Sequence, residues 1–343
     1  MGDPAGVGPE VIVRAWGDER VHRAARLVVV GHPGILLRAA ELLKSDVGVV
    51  GAASVTELGD ASSPRSICCI KACGDDALEV PPGRVDARAG EAAYQAVSAA
   101  ANLALKRNVD GIVTAPLSKL ALHAAGHHYP GHTELLAEMC GVSDFAMMLY
   151  LSRERGAGSG EYEVFETRGG LGVVHVTLHQ SLRSVFADLT VEAIVAKCRL
   201  VDSVMRRLGV VRPRVAVCAL NPHAGEDGLF GDEERTIIGP AVEAARAAGL
   251  DVSGPMPADT LLLRARDGEF DAVVAMYHDQ GHIAIKLLGM HAAVNITLGL
   301  PIVRTSVAHG TAFDRAWQGT ARAEGMVAAI FAAAKLAGGR CQA

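Results

Sequence analysis

The sequence has few aromatic residues, no long apolar run and no concentration of one charge. Only 4% of its 343 residues are aromatic although 50% are hydrophobic, so its apolar mass is mainly Ala, Val, Leu and Ile. That composition suits helices packed on a parallel sheet. No apolar run reaches the roughly 18–20 residues of a membrane span, so no membrane partner is expected. The net charge is −5 without a basic stripe, which argues against nucleic acid as a partner.

Paired cysteine spacing is also missing from the sequence. The seven cysteines are odd in number, and their spacing matches no zinc ribbon. We interpret them as reduced thiols in a reducing compartment. Because the sequence also shows no signal-peptide pattern, we expect a cytoplasmic protein.

Strand-like and helix-like segments alternate along the chain, which predicts an α/β fold with a mostly parallel sheet. The length suits about two domains. Apolar periodicity predicts helices over residues 87–107, 190–208, 233–248 and 322–336. The glycine-rich, charged segment 152–172 is predicted to form a loop or hairpin.

Three apolar segments each run into a histidine. They read VVHVTLH, RVAVCALNPH and DAVVAMYH, and they end at His179, His223 and His278. In open α/β sheets, ligands bind at the carboxyl ends of the strands. Three imidazoles there predict a divalent-metal site that leaves a coordination position open for substrate. Zinc is favoured, while cobalt, nickel, manganese and magnesium are also compatible.

Neighbouring polar residues are interpreted from their spacing to these three histidines. Asp279 could orient the imidazole before it. His175 and His179 lie on one predicted strand, about 13 Å apart, so both cannot bind one ion, and we interpret His175 as a core residue. His282, one helical turn after His278, is interpreted as a helix-surface residue.

Other polar residues predict contacts with an anionic substrate. His132 and Thr133 follow a glycine, although Thr133 could equally cap a helix. Lys286, Asn295 and Arg304 follow the His278 segment and could bind a phosphate or carboxylate, with Lys286 also the candidate for proton transfer. Two loops each allow two interpretations. Residues 2–10 form an anion-binding glycine-rich loop or a plain turn, and residues 114–119 form an anion contact or a helix start capped by Ser118.

The motifs together resemble the 4-hydroxythreonine-4-phosphate dehydrogenase family. They are GDPAGVGPE, TAPLSK, YPGHTELLA, HVTLHQSLR, LNPHAGE, GPMPADT, AMYHDQGH, AVNITLGLPIVRTSV and HGTAFD, and they span residues 2–314 in the order of the family. The last, at residues 309–314, also resembles the adenine-side cofactor loop of isocitrate and isopropylmalate dehydrogenases.

The resemblance implies an isocitrate/isopropylmalate dehydrogenase-like fold with two α/β domains around a central cleft. Residues 1–127 and 289–343 would form the cofactor-side domain, and residues 128–288 the metal-site and dimerisation domain. It also implies a homodimer in which one metal histidine is donated across the interface.

The resemblance assigns roles to individual residues. The metal positions fall on His179, His223 and His278. The substrate positions fall on His132, Thr133, Lys286, Asn295 and Arg304, with Lys286 catalytic. The positions for NAD or NADP fall on His309, Gly310, Thr311, Ala312 and Asp314.

The implied reaction is a metal-dependent, NAD(P)-linked oxidation of the C3 hydroxyl of 4-phosphohydroxy-L-threonine. Decarboxylation to 3-amino-2-oxopropyl phosphate follows, in pyridoxal phosphate biosynthesis. A dehydrogenase for D-threonate or D-erythronate 4-phosphate remains an alternative. A metal-dependent hydrolase or aldolase is the alternative from a different class, and the loop at 309–314 argues against it. Ala308 and the segment 315–319 depart from the family pattern and leave NAD or NADP open.

Overall fold

The computed structural model describes residues 1–58, 62–152 and 170–338. The chain divides into two compact units, Met1–Ser143 with Leu300–Ala343, and Asp144–Gly299. These boundaries lie later in the chain than the predicted ones after residues 127 and 288. Most of the predicted loop at 152–172 lies outside the described residues. No helix in the described ranges is long and apolar enough to cross a bilayer.

The first unit contains a small parallel sheet, a parallel strand pair and flanking helices. Its helices are α1 Gly8–Trp16, α2 Glu19–Ala24, α3 Pro33–Leu42, α4 Val55–Leu58, α5 Ala87–Leu105, α6 Lys119–Ala124, α7 His132–Met139 and α13 Glu324–Leu336. Its strands are β1 Val29–Gly31, β2 Gly48–Ala52, β3 Ser66–Lys71, β4 Gly111–Thr114 and β11 Val303–Val307. The small sheet has the order β1-β3-β2, and β4 pairs with β11. Helix α7 packs on α5, which places it in this unit.

The second unit is built on one mixed sheet. Its strands are β5 Ala146–Leu151, β6 Leu171–His175, β7 Val215–Cys218, β8 Val252–Met256, β9 Ala272–Ala275 and β10 Val294–Leu298. Its helices are α8 Leu182–Asp188, α9 Val191–Arg207, α10 Gly239–Ala247, α11 Ala258–Arg266 and α12 His278–Gly289. Strand β10 pairs with β5, which places it in this unit.

Parallel pairing in the second unit aligns three strand ends. Within this unit the strand order is β10-β5-β6-β9-β7-β8, with β5 antiparallel to both its neighbours and β6, β9, β7 and β8 mutually parallel. Every residue of β6, β7 and β9 is buried, as expected where helices such as α9 and α12 cover a parallel sheet. The carboxyl ends of β6, β9 and β7 therefore share one edge.

The three predicted strands end earlier than their apolar patterns. Strand β6 stops at His175, because beyond it the chain bends while Thr177 still donates its hydroxyl to the Met276 carbonyl at 2.8 Å. The predicted straight path from His175 to His179 is therefore wrong. His179 and His223 lie in turns beyond strand ends, and His278 begins α12.

Buried or capping polar groups fix several helix ends. Ser118 caps α6 by accepting from the Ala121 N–H at 3.2 Å, so the capping alternative for this residue is confirmed. Glu10 is fully buried on α1 and accepts from the N–H groups of Trp317, at 2.6 Å, and Gly319, at 2.7 Å. Residues 315–319, where the sequence departs from the family pattern, are therefore hydrogen-bonded to α1.

Replacing Gly90 by Ala should destabilise the protein, because α5 approaches α6 so closely that a Cβ would overlap the Ala121 carbonyl oxygen. We expect a loss of about 1–3 kcal/mol or more in the free energy of unfolding, measured by urea denaturation. Gly17→Ala is the matched control, since a Cβ there meets only the Arg14 carbonyl oxygen at 3.7 Å. Equal stability of the two variants would contradict the close packing.

Candidate active site

A cavity of about 600 Å³ opens in the second unit beside two of the predicted metal residues, His179 and His278. Its walls come from the turn after β6, the start of α8 and the start of α12. They are Leu178, His179, Gln180, Ser181, Leu182, Val185, Tyr277, His278 and Asp279.

His179 and His278 face each other at this cavity, with ring centroids 5.6 Å apart. The Nδ1 atom of His278 lies 2.7 Å from Oδ1 of Asp279. If Nδ1 carries the proton that donates to this carboxylate, Nε2 is left as the metal-binding atom. Asp279 thus occupies the orienting position that its spacing predicted.

His223 stands on an unusual turn after β7. Residues 223–227 all have positive φ, between 44° and 81°, which makes a short left-handed stretch. The exposed His223 ring has a ring contact with Phe230, at 6.3 Å between centroids. Within the described residues, no three His, Cys, Asp or Glu side chains of one chain are placed to hold a metal ion.

Glu234 holds the entry to this turn. It is 7% exposed, and its Oε1 accepts from the N–H groups of Leu220, at 2.8 Å, and Asn221, at 2.7 Å. Its Oε2 accepts from the Asn221 amide at 2.9 Å. The carboxylate therefore fixes the two residues that lead into the turn, although its spacing in the sequence did not single it out.

Two further histidines lie behind His278. His282 is 7% exposed, so its interpretation as a helix-surface residue is wrong. Its Nδ1 lies 3.0 Å from Nε2 of His175, which is 1% exposed and occupies the core position expected of it. Burial lowers the pKa of His175 to about 3 and that of His282 to about 4, so both rings are neutral at pH 7.

A second cluster of predicted residues lies in the first unit. Arg304 on β11 is 2% exposed and donates from its guanidinium to the Thr114 hydroxyl at 2.8 Å. Burial lowers the pKa of Arg304 to about 10, and the charge of Glu134 opposes the shift. Thr133 lies in the first turn of α7, which begins after Gly131, so Thr133 is not the helix cap.

His132 joins this cluster as a neutral ring. Burial lowers the pKa of His132 well below its usual value, and the charge of Arg304 lowers it further. The Ala115 backbone opposes part of this shift in the pKa of His132. Its Nε2 is buried and has no partner among the described residues. A buried polar atom in this condition is a natural contact for a ligand.

The remaining predicted substrate residues lie in the second unit. Asn295 on β10 donates its amide to the Met147 sulfur at 3.2 Å, while its buried Oδ1 has no partner in the described part of the chain. Lys286 is exposed on α12, two turns after His278. The predicted substrate residues are thus divided between the two units.

The predicted cofactor loop contacts the glycine-rich loop within the first unit. The Val7 N–H donates to the Thr311 carbonyl at 3.0 Å, and a Cβ on Gly6 would lie 3.0 Å from Thr311. Gly310 faces open space, as a ligand-contacting backbone requires.

Asp3 lies in the same glycine-rich loop and was not predicted as a site residue. It is fully buried, and burial raises its pKa to about 6. Its Oδ1 accepts from the Ala5 N–H at 2.8 Å, while Oδ2 has no partner in the ranges that the structure covers.

Comparison with known proteins identifies relatives over nearly the whole chain. The chain is 46% identical to D-threonate 4-phosphate dehydrogenase of Salmonella typhimurium, with 98% of this chain and 97% of the relative covered. It is 44% identical to 4-hydroxythreonine-4-phosphate dehydrogenase of Beijerinckia indica, covering 98% and 93%. A crystal structure of 4-hydroxythreonine-4-phosphate dehydrogenase from Klebsiella pneumoniae matches with a TM-score of 0.84 at 44% identity, covering 98% of each chain.

These relatives confirm the predicted α/β fold class and the predicted dehydrogenase family. The model of the family described as pyridoxal phosphate biosynthetic protein PdxA matches residues 23–333. The chain therefore belongs to the PdxA family.

Proposed function

We propose that this protein oxidises the C3 hydroxyl of a four-carbon, 4-phosphorylated 3-hydroxy acid with NAD or NADP and then releases CO2. The observation that carries the proposal is the convergence of His179 and His278 on one cavity. The buried Arg304 supports it, as does Nε2 of His132, which has no partner in the described part of the chain, since both suit an anionic substrate.

The donor set fits a divalent metal. Two imidazoles face the cavity, and His223 follows the neighbouring parallel strand. A bound ion would lower the pKa of a substrate hydroxyl and stabilise negative charge on the ketone oxygen during decarboxylation. Imidazole ligands favour zinc but also accept cobalt, nickel or manganese.

Several residues are proposed to contact the polar groups of the substrate. Arg304 offers a guanidinium that is already desolvated, which strengthens its attraction to a phosphate or carboxylate. Neutral His132 contributes a hydrogen bond through Nε2, and Thr133 contributes its hydroxyl at the start of α7. Asn295 offers its amide oxygen, which has no partner among the described residues, as an acceptor for a hydroxyl or amino group of the substrate.

Lys286 is the proposed proton-transfer group. Lys286 would take up the proton of the C3 hydroxyl, and a bound NAD or NADP would supply the acceptor for the hydride that leaves C3. The resulting β-keto acid then breaks its bond to the carboxylate, and the carbon left behind takes up a proton. His309, Gly310, Thr311, Ala312 and Asp314 are the proposed cofactor contacts, and the open space at Gly310 supports this placement.

Two classes of substrate satisfy this chemistry, 4-phosphohydroxy-L-threonine and the acid-sugar phosphates D-threonate and D-erythronate 4-phosphate. 4-Phosphohydroxy-L-threonine would give 3-amino-2-oxopropyl phosphate, and D-threonate 4-phosphate would give dihydroxyacetone phosphate by the same two steps. They differ in carrying an amino or a hydroxyl group at C2. The second candidate is favoured by three relatives of 44–46% identity that carry the D-threonate 4-phosphate name.

We propose that the enzyme acts as a homodimer with a shared active site. One chain does not bring three ligands together within its described residues. Helix α12, which carries His278, also exposes Ile283 and Leu287 to 57% and 83%, and Met290 just beyond its end is 48% exposed. This apolar stripe at helical spacing is suited to a subunit interface beside the metal residues.

A substrate panel should separate the candidates. Each substrate is tested with NAD and with NADP, and NAD(P)H formation is followed by its absorbance at 340 nm. We expect turnover of 4-phosphohydroxy-L-threonine, of D-threonate or D-erythronate 4-phosphate, or of both of these substrate classes. Unphosphorylated threonate should be turned over at least about tenfold less efficiently, because it lacks a charge-assisted contact. Absence of NAD(P)H with every acid would contradict the proposal and favour a hydrolase or aldolase.

Alanine variants of the three histidines should test both the metal site and its sharing. Each of His179→Ala, His223→Ala and His278→Ala should lose bound metal and turnover. Pairs of inactive variants, unfolded and refolded together, form mixed dimers. If one histidine is donated across the interface, two of the three mixtures should regain about a quarter of wild-type activity, since half the dimers are mixed and each has one intact site.

The third mixture should stay inactive, because it pairs the two histidines supplied by the same chain. Recovery in none of the mixtures would contradict a shared site. A metal-replete, active single variant would remove that residue from the ligand set. His291→Ala, which changes an exposed histidine just beyond α12, is the matched control and should keep both metal and activity.

Leu287→Glu should dissociate the dimer, because it places a charge in the centre of the apolar stripe. We expect a halved mass by light scattering, together with loss of bound metal. Val211→Glu is the matched control, since Val211 is 89% exposed and lies outside the stripe. A Leu287→Glu protein that stays dimeric and keeps its metal would show that the interface lies elsewhere on the chain.

A further inference from the structure

Two buried histidines in the second unit have no role in the proposed reaction. His175 ends β6, and His282 lies in the second turn of α12. Their 3.0 Å contact between Nε2 of His175 and Nδ1 of His282 is a hydrogen bond between two imidazoles. In such a bond one ring donates and the other accepts, so both rings are fixed in orientation.

The His282 ring lies flat against His278. Their centroids are 3.8 Å apart, and the rings are inclined by only 13°. The lone pair of an imidazole nitrogen lies in the plane of its ring. Two nearly parallel rings at this spacing cannot both direct lone pairs at one ion about 2.0–2.1 Å from each nitrogen. His282 is therefore placed to support His278 and not to bind the same ion beside it.

Close packing holds the supporting pair in place. A Cβ on Gly281 would lie 2.6 Å from Nε2 of His175 and 2.6 Å from a methyl group of Val173. Helix α12 therefore approaches β6 as closely as glycine allows. Because His278, Gly281 and His282 share the first turns of this helix, the ring that stacks on His278 stands on a rigid base.

We propose that His282, anchored by His175, is a positioning residue that holds the His278 imidazole in its metal-binding orientation. Asp279 restrains the Nδ1 edge of the His278 ring, and His282 restrains its face. Together they leave Nε2 as the one nitrogen of His278 that is not engaged by these contacts. The inference rests on the proposed metal site and adds to it the residues that position His278.

The test compares zinc affinity among variants of the full-length dimeric protein, measured by competition with a chromophoric chelator. His282→Leu removes both the stacked ring and the bond to His175, so we expect its affinity to fall about 10–100-fold. His282→Phe keeps a flat ring against His278 but loses the bond, so we expect a smaller loss. His291→Ala should match the wild type.

Metal-free thermal unfolding and circular dichroism separate positioning from folding. We expect His282→Phe to fold and to bind zinc more tightly than His282→Leu, which general destabilisation would not produce. If His282→Leu does not fold, His282→Phe and His175→Leu carry the test, and each should bind zinc at least about threefold more weakly than the wild type.

The possible failures are distinguishable. If the wild-type dimer binds no stoichiometric zinc, the proposed metal site fails and this inference fails with it. If the wild type binds zinc and the folded His282 variants bind it within twofold of the wild type, only the positioning role is overturned.

Discussion

Three neighbouring parallel strands, β6, β9 and β7, carry the whole arrangement of candidate metal residues. Parallel strands leave a sheet at one edge, and adjacent strands stand about 4.8 Å apart. Residues that follow adjacent strands therefore meet without any long loop, as His179 and His278 do. His223 is five residues beyond the end of β7, so its turn, held by Glu234, places its ring more than the sheet does. His179 and His278 are therefore in contact, whereas His223, which is farther from its strand end, stands apart from them.

Desolvated polar groups recur in the first unit, and each has a local reason. Glu10 is satisfied by two backbone N–H groups and acts as a structural clamp. Arg304 and His132 differ, because burial weakens their charged forms and His132 retains a nitrogen without a partner in the described chain. Burying a guanidinium costs several kcal/mol, and an anionic substrate would offset part of that cost on binding. If Arg304 and His132 bind substrate as proposed, a site prepared in this way would favour phosphorylated acids over neutral alcohols.

Sequence reasoning recovered the elements that depend on local pattern. Long helices such as α5 and α9 were predicted within a few residues, because their apolar spacing and caps are local signals. The burial of His282 was missed, since a polar residue four positions after another polar residue reads as an exposed helix face. Gly281 was the available signal, because a glycine inside a helix often marks a close approach by another element. The bend after His175 was missed because Val176 and Leu178 continue the apolar pattern after the strand has ended.

The left-handed stretch after β7 constrains how this part of the sequence can change over evolutionary time. Four of its five residues carry a Cβ, and each costs roughly 1–2 kcal/mol relative to a right-handed conformation. Histidine and aspartate enter this region more readily than β-branched or bulky residues do. Substitutions at Ala224 or Asp227 are thus restricted to residues that tolerate a positive φ, whether or not the position contacts an ion or substrate. Mutational drift in the loop would favour glycine, asparagine, aspartate and histidine over β-branched and bulky residues, even in a descendant that bound no metal.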